Sequence, residues 1–316
     1  MIKAYSVVKD LNEEAIQVIK QNNIDLTCNS TGIIPTTEEI ILLLKEYDIL
    51  IIGIRTLIKK EILNTLFSKK IIATLSVGVD HIDKEVLEHP LVEVMHIKTA
   101  NALSVAEHIF SFILSLNKRI YELNTLVLKK KGRRKNLFEN PDDISEKTLG
   151  LIGAGNITRQ VIKIAQVFHM PMLCYTKHPE KHTDLLKYGI RFITLEELLK
   201  TSDIITVNLP LTKETNRLIA KDQIKLMKKN ATFINTSRRD IVDTKALIDY
   251  AEENKTFYVG LDIDLDGYEK LFSKYRPNVL VTPHTAGVTK QANKRMDIEI
   301  AEKIVDFLHK NEETML

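Results

Sequence analysis

The segment KTLGLIGAGNITRQVIKIAQVF, residues 147–168, decides the fold. Its first part, LGLIGAG (149–155), is a short apolar run that reads as a buried strand and closes on two glycines. Its last part, RQVIKIAQVF (159–168), has helical period. In a strand–turn–helix of this kind, Gly153 permits the tight turn and Gly155 lets a ligand approach the backbone. The helix start then offers N–H groups and the positive end of its dipole to an anion. A GxG alone says little. In this setting it is the phosphate-binding turn of a Rossmann unit, suited to the pyrophosphate of a dinucleotide.

Two positions depart from the usual fingerprint. Thr158 fills the third glycine place, and its side chain is expected to hold helix and strand slightly further apart. About 20 residues on, where an acid normally binds the ribose hydroxyls, the chain reads Cys174-Tyr175-Thr176-Lys177-His178. A carboxylate there would repel a 2′-phosphate. Thr176 and Lys177, with His178 behind them, can instead hydrogen-bond or neutralise one. This charge logic favours NADP over NAD; the alternative is an ordinary polar loop beside a loosely held NAD.

Outward from this segment, short apolar runs alternate with helical stretches. DILIIGI (48–54), KKIIATLSV (69–77), PMLCYT (171–176), DIITVNL (203–209), ATFINTS (231–237), YVGLDI (258–263) and VLVTP (279–283) read as strands. EEIILLLKEY (38–47), AEHIFSFILSLNKRIYELN (106–124) and TKALIDYAEEN (244–254) read as helices. Continuous Val/Ile/Leu runs mark strands buried on both faces, so the pattern implies an α/β fold of parallel sheets with crossover helices.

The 316 residues are enough for two domains, and 44% hydrophobic with 28% charged residues describes a globular chain. A net charge of +3 does not by itself call for a nucleic-acid or membrane partner. Two cysteines, Cys28 and Cys174, lie far apart without CxxC spacing, which argues against a disulfide framework or a thiolate metal site. No metal is expected. Neither a signal peptide nor a run of roughly 18 apolar residues is visible, so the protein is expected to stay in the cytoplasm. The one composition shift is KKKGRRKNLFEN (129–140), read as a solvated loop or subunit arm rather than a phosphate- or nucleic-acid-binding patch.

Further motifs run in order through the chain. They are Ser76-Val77-Gly78-Val79-Asp80-His81-Ile82-Asp83; Asn101-Ala-Leu-Ser-Val105-Ala-Glu107-His108; and Asn208-Leu209-Pro210-Leu-Thr-Lys-Glu-Thr215. Then come Ile234-Asn-Thr236-Ser237-Arg238-Arg239-Asp-Ile-Val-Asp243, Gly260-Leu-Asp262 and Val281-Thr-Pro-His284-Thr-Ala-Gly287. Together they resemble the D-isomer-specific 2-hydroxyacid dehydrogenase family nearly end to end. Asn208 stands where that family usually has His, and Arg239 where it has Gly.

The resemblance implies two Rossmann-like domains. A substrate domain is split between the termini (1–100 and 285–316), and a dinucleotide-binding domain spans 101–284, with the active site in the cleft between. It also implies a homodimer whose contact uses the helix and basic loop around 106–146. Val77 and Gly78 would bind the substrate carboxylate through their N–H groups, and Asp262 would face the nicotinamide amide. Asn156, Ile157, Leu209, Pro210, Thr215, Thr236 and Ser237 would line the cofactor.

Reducing a 2-keto acid to a D-2-hydroxy acid requires a hydride at carbon and a proton at oxygen. Histidine titrates in the right range to donate that proton, and His284, after Thr282-Pro283 at a strand end, is the candidate. A guanidinium holds a carboxylate bidentately. The motif match gives that role to Arg238, with adjacent Arg239 as the alternative. The family's histidine-pairing glutamate falls here on Gly267; Asp266 fits best if one residue is missing, and Glu269 is second.

The reading is therefore a D-lactate dehydrogenase-like oxidoreductase using NADP or NAD. One alternative is a phosphoglycerate dehydrogenase-like enzyme, which would need extra cations such as Arg55; no regulatory domain is expected beyond Leu316. The other is a non-catalytic dinucleotide-sensing protein on the same scaffold.

Overall fold

The computed structural model describes residues 1–129, 141–264 and 266–311. Most of the basic stretch, 130–140, lies outside them. Contacts divide the chain into two compact units, one made of Met1–Asn101 with Lys290–Leu316 and the other of Ala102–Thr289.

The first unit carries strands β1 (Ile2–Ser6), β2 (Ile24–Cys28), β3 (Ile49–Ile52), β4 (Lys70–Thr74) and β5 (Val92–His96). Its helices are α1 (Glu13–Gln21), α2 (Thr37–Glu46), α3 (Lys84–Leu87) and a long helix, Lys290–Asn311. The strands are all parallel in the order β2-β1-β3-β4-β5. Because strand side chains alternate, Ile49 and Ile51 pack beneath α1 and the long helix, with Ala15, Ile19, Ile300 and Ile304. Leu50 and Ile52 face the other way, under Ile40 and Leu44 of α2. A reciprocal cap starts α2: Thr36 Oγ1 accepts from Glu39 N at 3.3 Å, and Glu39 Oε2 accepts from Thr36 N at 2.7 Å.

The second unit adds β6 (Leu149–Ile152), β7 (Met172–Tyr175), β8 (Arg191–Phe192), β9 (Ile204–Val207), β10 (Thr232–Asn235), β11 (Tyr258–Asp262) and β12 (Val279–Thr282). Its helices are α4 (Ala102–Asn117), α5 (Ile120–Leu128), α6 (Asn156–Val167), α7 (Leu195–Thr201), α8 (Lys221–Leu226), α9 (Thr244–Glu253) and α10 (Glu269–Phe272). The seven strands are parallel in the order β12-β11-β10-β9-β6-β7-β8. From β8 through β11 this is the doubly wound Rossmann order 3-2-1-4-5-6, with β12 as a seventh strand. Helices α4 and α6 cover one face through Ile109, Ile113, Val161 and Ile162. Helices α7, α8 and α9 cover the other through Leu198, Ile224, Leu247 and Ile248.

Both sheets and their crossover helices are of the α/β class expected. One element differs. The single helix read at 106–124 is broken between α4 and α5, where Arg119 takes a left-handed φ of 54°. Two contacts hold the break. The buried Asn117 amide donates to Ile113 O and to Thr232 Oγ1, and Arg119 makes a forked pair with Glu122.

Candidate active site

In a doubly wound sheet the ligand crevice opens at the carboxyl ends of the strands where their order reverses. Here that point lies between β6 and β9. Gly153 has φ 106°, and a Cβ there would stand 2.5 Å from the Asn208 carbonyl oxygen. Only glycine permits so close an approach of the two strand ends. Gly155, the residue before α6, has nothing within 4 Å of a would-be Cβ, so open space lies over the start of the helix. Thr158 is fully buried, and its Oγ1 donates to the Gly153 carbonyl at 2.8 Å. The supposed spacer therefore also ties the helix to the turn.

The crevice also holds unsatisfied polar atoms. Asn208 Nδ2, after β9, and Thr236 Oγ1, after β10, are buried and find no hydrogen-bond partner among the described residues. Such atoms are costly unless a ligand completes them. With the open space at Gly155, they fit a dinucleotide lying across the crevice. Ser237 is satisfied already, donating to Val207 O at 2.8 Å. Thr215 staples the 210–215 loop, donating to Pro210 O at 2.6 Å and accepting from Thr212 N at 2.8 Å. Leu209 packs against Gly153. At the end of β7, Thr176 is half-buried, and the exposed Lys177 pairs with Glu214 at 2.5 Å.

The turn after β12 carries His284 with φ 53°, a left-handed conformation unusual for a residue with a Cβ. A buried carboxylate sustains it. Asp262, 1% exposed at the end of β11, accepts from Thr282 Oγ1 (2.5 Å) and Thr285 N (2.8 Å) on Oδ1, and from Ala286 N (2.8 Å) on Oδ2. These donors flank His284 on both sides. Thr282 Oγ1 also lies 3.0 Å from Nε2 of His108, on α4. Burial lowers the His108 pKa, against an opposing pull from Asp262.

Arg238 follows β10 in extended conformation, and its Nη1 donates to Ser237 O at 3.2 Å. Arg239 is turned elsewhere: its Nη1 donates to Asp266 O at 2.8 Å, and its guanidinium sits 4.8 Å from the centre of the Tyr268 ring. Glu269 accepts from Gly267 N. Among the described residues no carboxylate lies within hydrogen-bond distance of the His284 imidazole, so neither Asp266 nor Glu269 is brought to it.

In the other unit, the loop after β4 holds Val77, 41% exposed, and Gly78. Ser76 Oγ donates to Gly78 O at 2.7 Å, and His96 Nδ1 is 3.1 Å from Val77 O. The N–H groups of Val77 and Gly78 have no acceptor among the described residues.

Residues 110–286 match the family model described as D-isomer specific 2-hydroxyacid dehydrogenase, NAD binding domain. The chain belongs to the D-isomer-specific 2-hydroxyacid dehydrogenase family. Among curated members it is 30% identical over 309 residues to the D-3-phosphoglycerate dehydrogenase of Methanocaldococcus jannaschii, covering 96% of this chain. It spans only 57% of that relative's length. Among solved members, the D-lactate dehydrogenase of Aquifex aeolicus, complexed with NAD and lactic acid, superposes with a TM-score of 0.79. That pair is 29% identical, covering 98% of this chain and 96% of the other. An acyclic imino acid reductase in complex with NADPH and D-arginine superposes with a TM-score of 0.86 at 27% identity, covering 98% of both chains. Within this family the residues invisible to motif reading were His108 and Thr282 as partners and Asp262 as a clamp. The His108–Thr282 contact spans 174 positions, and no local pattern announces it.

Proposed function

We propose that this chain reduces a small 2-keto acid to the D-2-hydroxy acid with a nicotinamide cofactor, NADPH in preference to NADH. The observation that carries the reading is His284 held in a strained turn by a buried carboxylate, on the same sheet as the open glycine turn. Strain of this kind persists where surrounding structure over-determines it, commonly at functional sites.

The reduced nicotinamide would supply the hydride. Gly155 and the start of α6 would seat its pyrophosphate, and Asn208 Nδ2 and Thr236 Oγ1 would meet its polar atoms. Arg238 would grip the substrate carboxylate and polarise the carbonyl, helped by the N–H groups of Val77 and Gly78. His284 would give its proton to the carbonyl oxygen as the C–H bond forms, and recover it from solvent. Thr176 supports NADPH, since the residue after β7 is a hydroxyl where an acid would repel a 2′-phosphate, and Lys177 would exchange Glu214 for that phosphate. A homodimer in the cytoplasm belongs to the same reading. Helix α5 supports the dimer, because it buries none of its own residues and exposes Ile120, Val127 and Leu128.

One observation favours a second substrate class. Among the described residues no carboxylate pairs with the His284 imidazole. A 2-iminium acid arrives already protonated at nitrogen, so hydride addition at C2 drives the C=N electron pair onto nitrogen without an acid. The imino acid reductase described above is a relative of this kind. The test is a panel of pyruvate, glyoxylate, hydroxypyruvate and larger 2-keto acids, each with and without ammonia or methylamine, against NADPH and NADH. Oxidation of NADPH by a keto acid alone supports the first reading. Oxidation only when the amine is present supports the second, and none anywhere overturns both.

A further inference from the structure

The contact between His108 and Thr282 sets a direction of hydrogen bonding that the reaction scheme above does not use. Thr282 Oγ1 carries one proton, and at 2.5 Å it gives that proton to Asp262 Oδ1. An ionised carboxylate only accepts. The hydroxyl has therefore nothing left to donate to His108 Nε2 at 3.0 Å, so the ring nitrogen must be the donor. Burial against Phe112, whose ring meets His108 edge-on at a centroid distance of 4.6 Å, favours the neutral imidazole. A neutral imidazole has one N–H, and here it stands on Nε2, leaving Nδ1 bare.

We propose that His108 is a positioning residue: its Nε2–H orients the Thr282 hydroxyl onto Asp262, which holds the left-handed turn that presents His284. The chain of donors runs from α4 through β12 to β11 and returns to the backbone N–H groups of Thr285 and Ala286. Asp262 and Thr282 are directly opposed partners on the neighbouring strands, so the hydroxyl reaches the carboxylate without distortion. With Thr282 uncommitted, Asp262 would lose one of its three donors and the turn one of its restraints. The cost falls on the orientation of His284 rather than on the cofactor crevice between β6 and β9. The consequence for turnover rests on the proposed function; the hydrogen-bond direction does not.

The test therefore has two arms. Nitrogen-15 NMR of the histidine-labelled protein at pH 7.5, with His108 assigned by its loss in His108→Gln, reads the tautomer without substrate. A protonated Nε2 with bare Nδ1 is expected; a protonated Nδ1 with bare Nε2 overturns the proposal. In the second arm, Thr282→Val is expected to lower kcat on the best substrate about tenfold or more, with dinucleotide Kd within twofold of wild type. Thr282→Ser should restore most of the lost rate, and His108→Gln should retain more rate than His108→Phe, because the amide can still donate. Thr282→Val turning over like wild type would overturn the proposal even with the expected tautomer. A wild type inactive on every substrate would instead sink the functional reading, while the tautomer still decides the direction of the bond.

Discussion

A residue with a Cβ at positive φ costs about 1–3 kcal/mol, so the turn at His284 must be held from outside. Asp262 does this with both carboxylate oxygens, so the backbone that carries the imidazole is held before a substrate arrives. Arg238 is the other group on which turnover depends. Arg238→Lys keeps the charge but loses the fork. We expect kcat/KM to fall at least tenfold with cofactor Kd unchanged, since charge-assisted bonds contribute about 1.5–3 kcal/mol. If Arg239→Lys produces that loss instead, the carboxylate belongs to the neighbouring residue. For the cofactor, Thr176→Asp places a carboxylate where a 2′-phosphate would lie. It should move the kcat/KM ratio toward NADH by tenfold or more; a wild type already tenfold better with NADH would contradict the NADPH preference.

At the scale of elements, the two glycines of the β6–α6 turn do different work and are separable. Gly153→Ala drives a Cβ to 2.5 Å from the Asn208 carbonyl at φ 106°, so thermal unfolding should show a loss of about 2 kcal/mol or more. Gly155→Ala meets nothing, so Tm should hold while dinucleotide Kd rises about tenfold, the methyl filling the pyrophosphate's place. A second element-level test concerns the long helix against α1. Asp297, 7% exposed, accepts the Asn12 backbone N–H at 2.9 Å, and burial pushes its carboxyl from 3.8 up to about 6. The folded chain then holds this proton to higher pH than the unfolded chain. Stability therefore falls as pH rises from about 4 to 6, and the full cost of the buried charge is present above pH 6. Asp297→Asn keeps an acceptor without the charge. It should be about 1–2 kcal/mol more stable than wild type at pH 7, with the gain vanishing below pH 4.

The elements also show why some of the molecule was legible in sequence. Strands such as β3, β6 and β9 are apolar on both faces, and the glycine turn between β6 and α6 is dictated by backbone sterics, so both can be read locally. Strands β1, β2 and β5 are only partly buried, with Lys3, Asp25 and Glu93 interrupting their apolar residues, which blurs their signal. The break at Arg119 depends on Asn117 reaching Thr232, 115 positions away. The candidate site divides in the same manner. Gly153, Arg238 and His284 stand in contiguous motifs, whereas the clamp around His284 is assembled from α4, β11 and β12 and exists only after folding.

For the molecule as a whole, α5 with its exposed Ile120, Val127 and Leu128 bears on assembly. Val127→Glu with Leu128→Glu should shift the mass found by light scattering from dimer to monomer. A wild type that is monomeric at micromolar concentration would remove the dimer from the account. The central claim is hydride transfer to C2 of a 2-keto acid, and isotope transfer tests it most directly. The chain is incubated with NADPH dideuterated at C4 and the best 2-keto acid of the panel. The hydroxy acid is then resolved on a chiral column and analysed by mass spectrometry. One deuterium is expected at C2, in the D enantiomer, with His284→Gln forming the same labelled product at only a small fraction of the wild-type rate. An L product, or a D product without deuterium at C2, would contradict it.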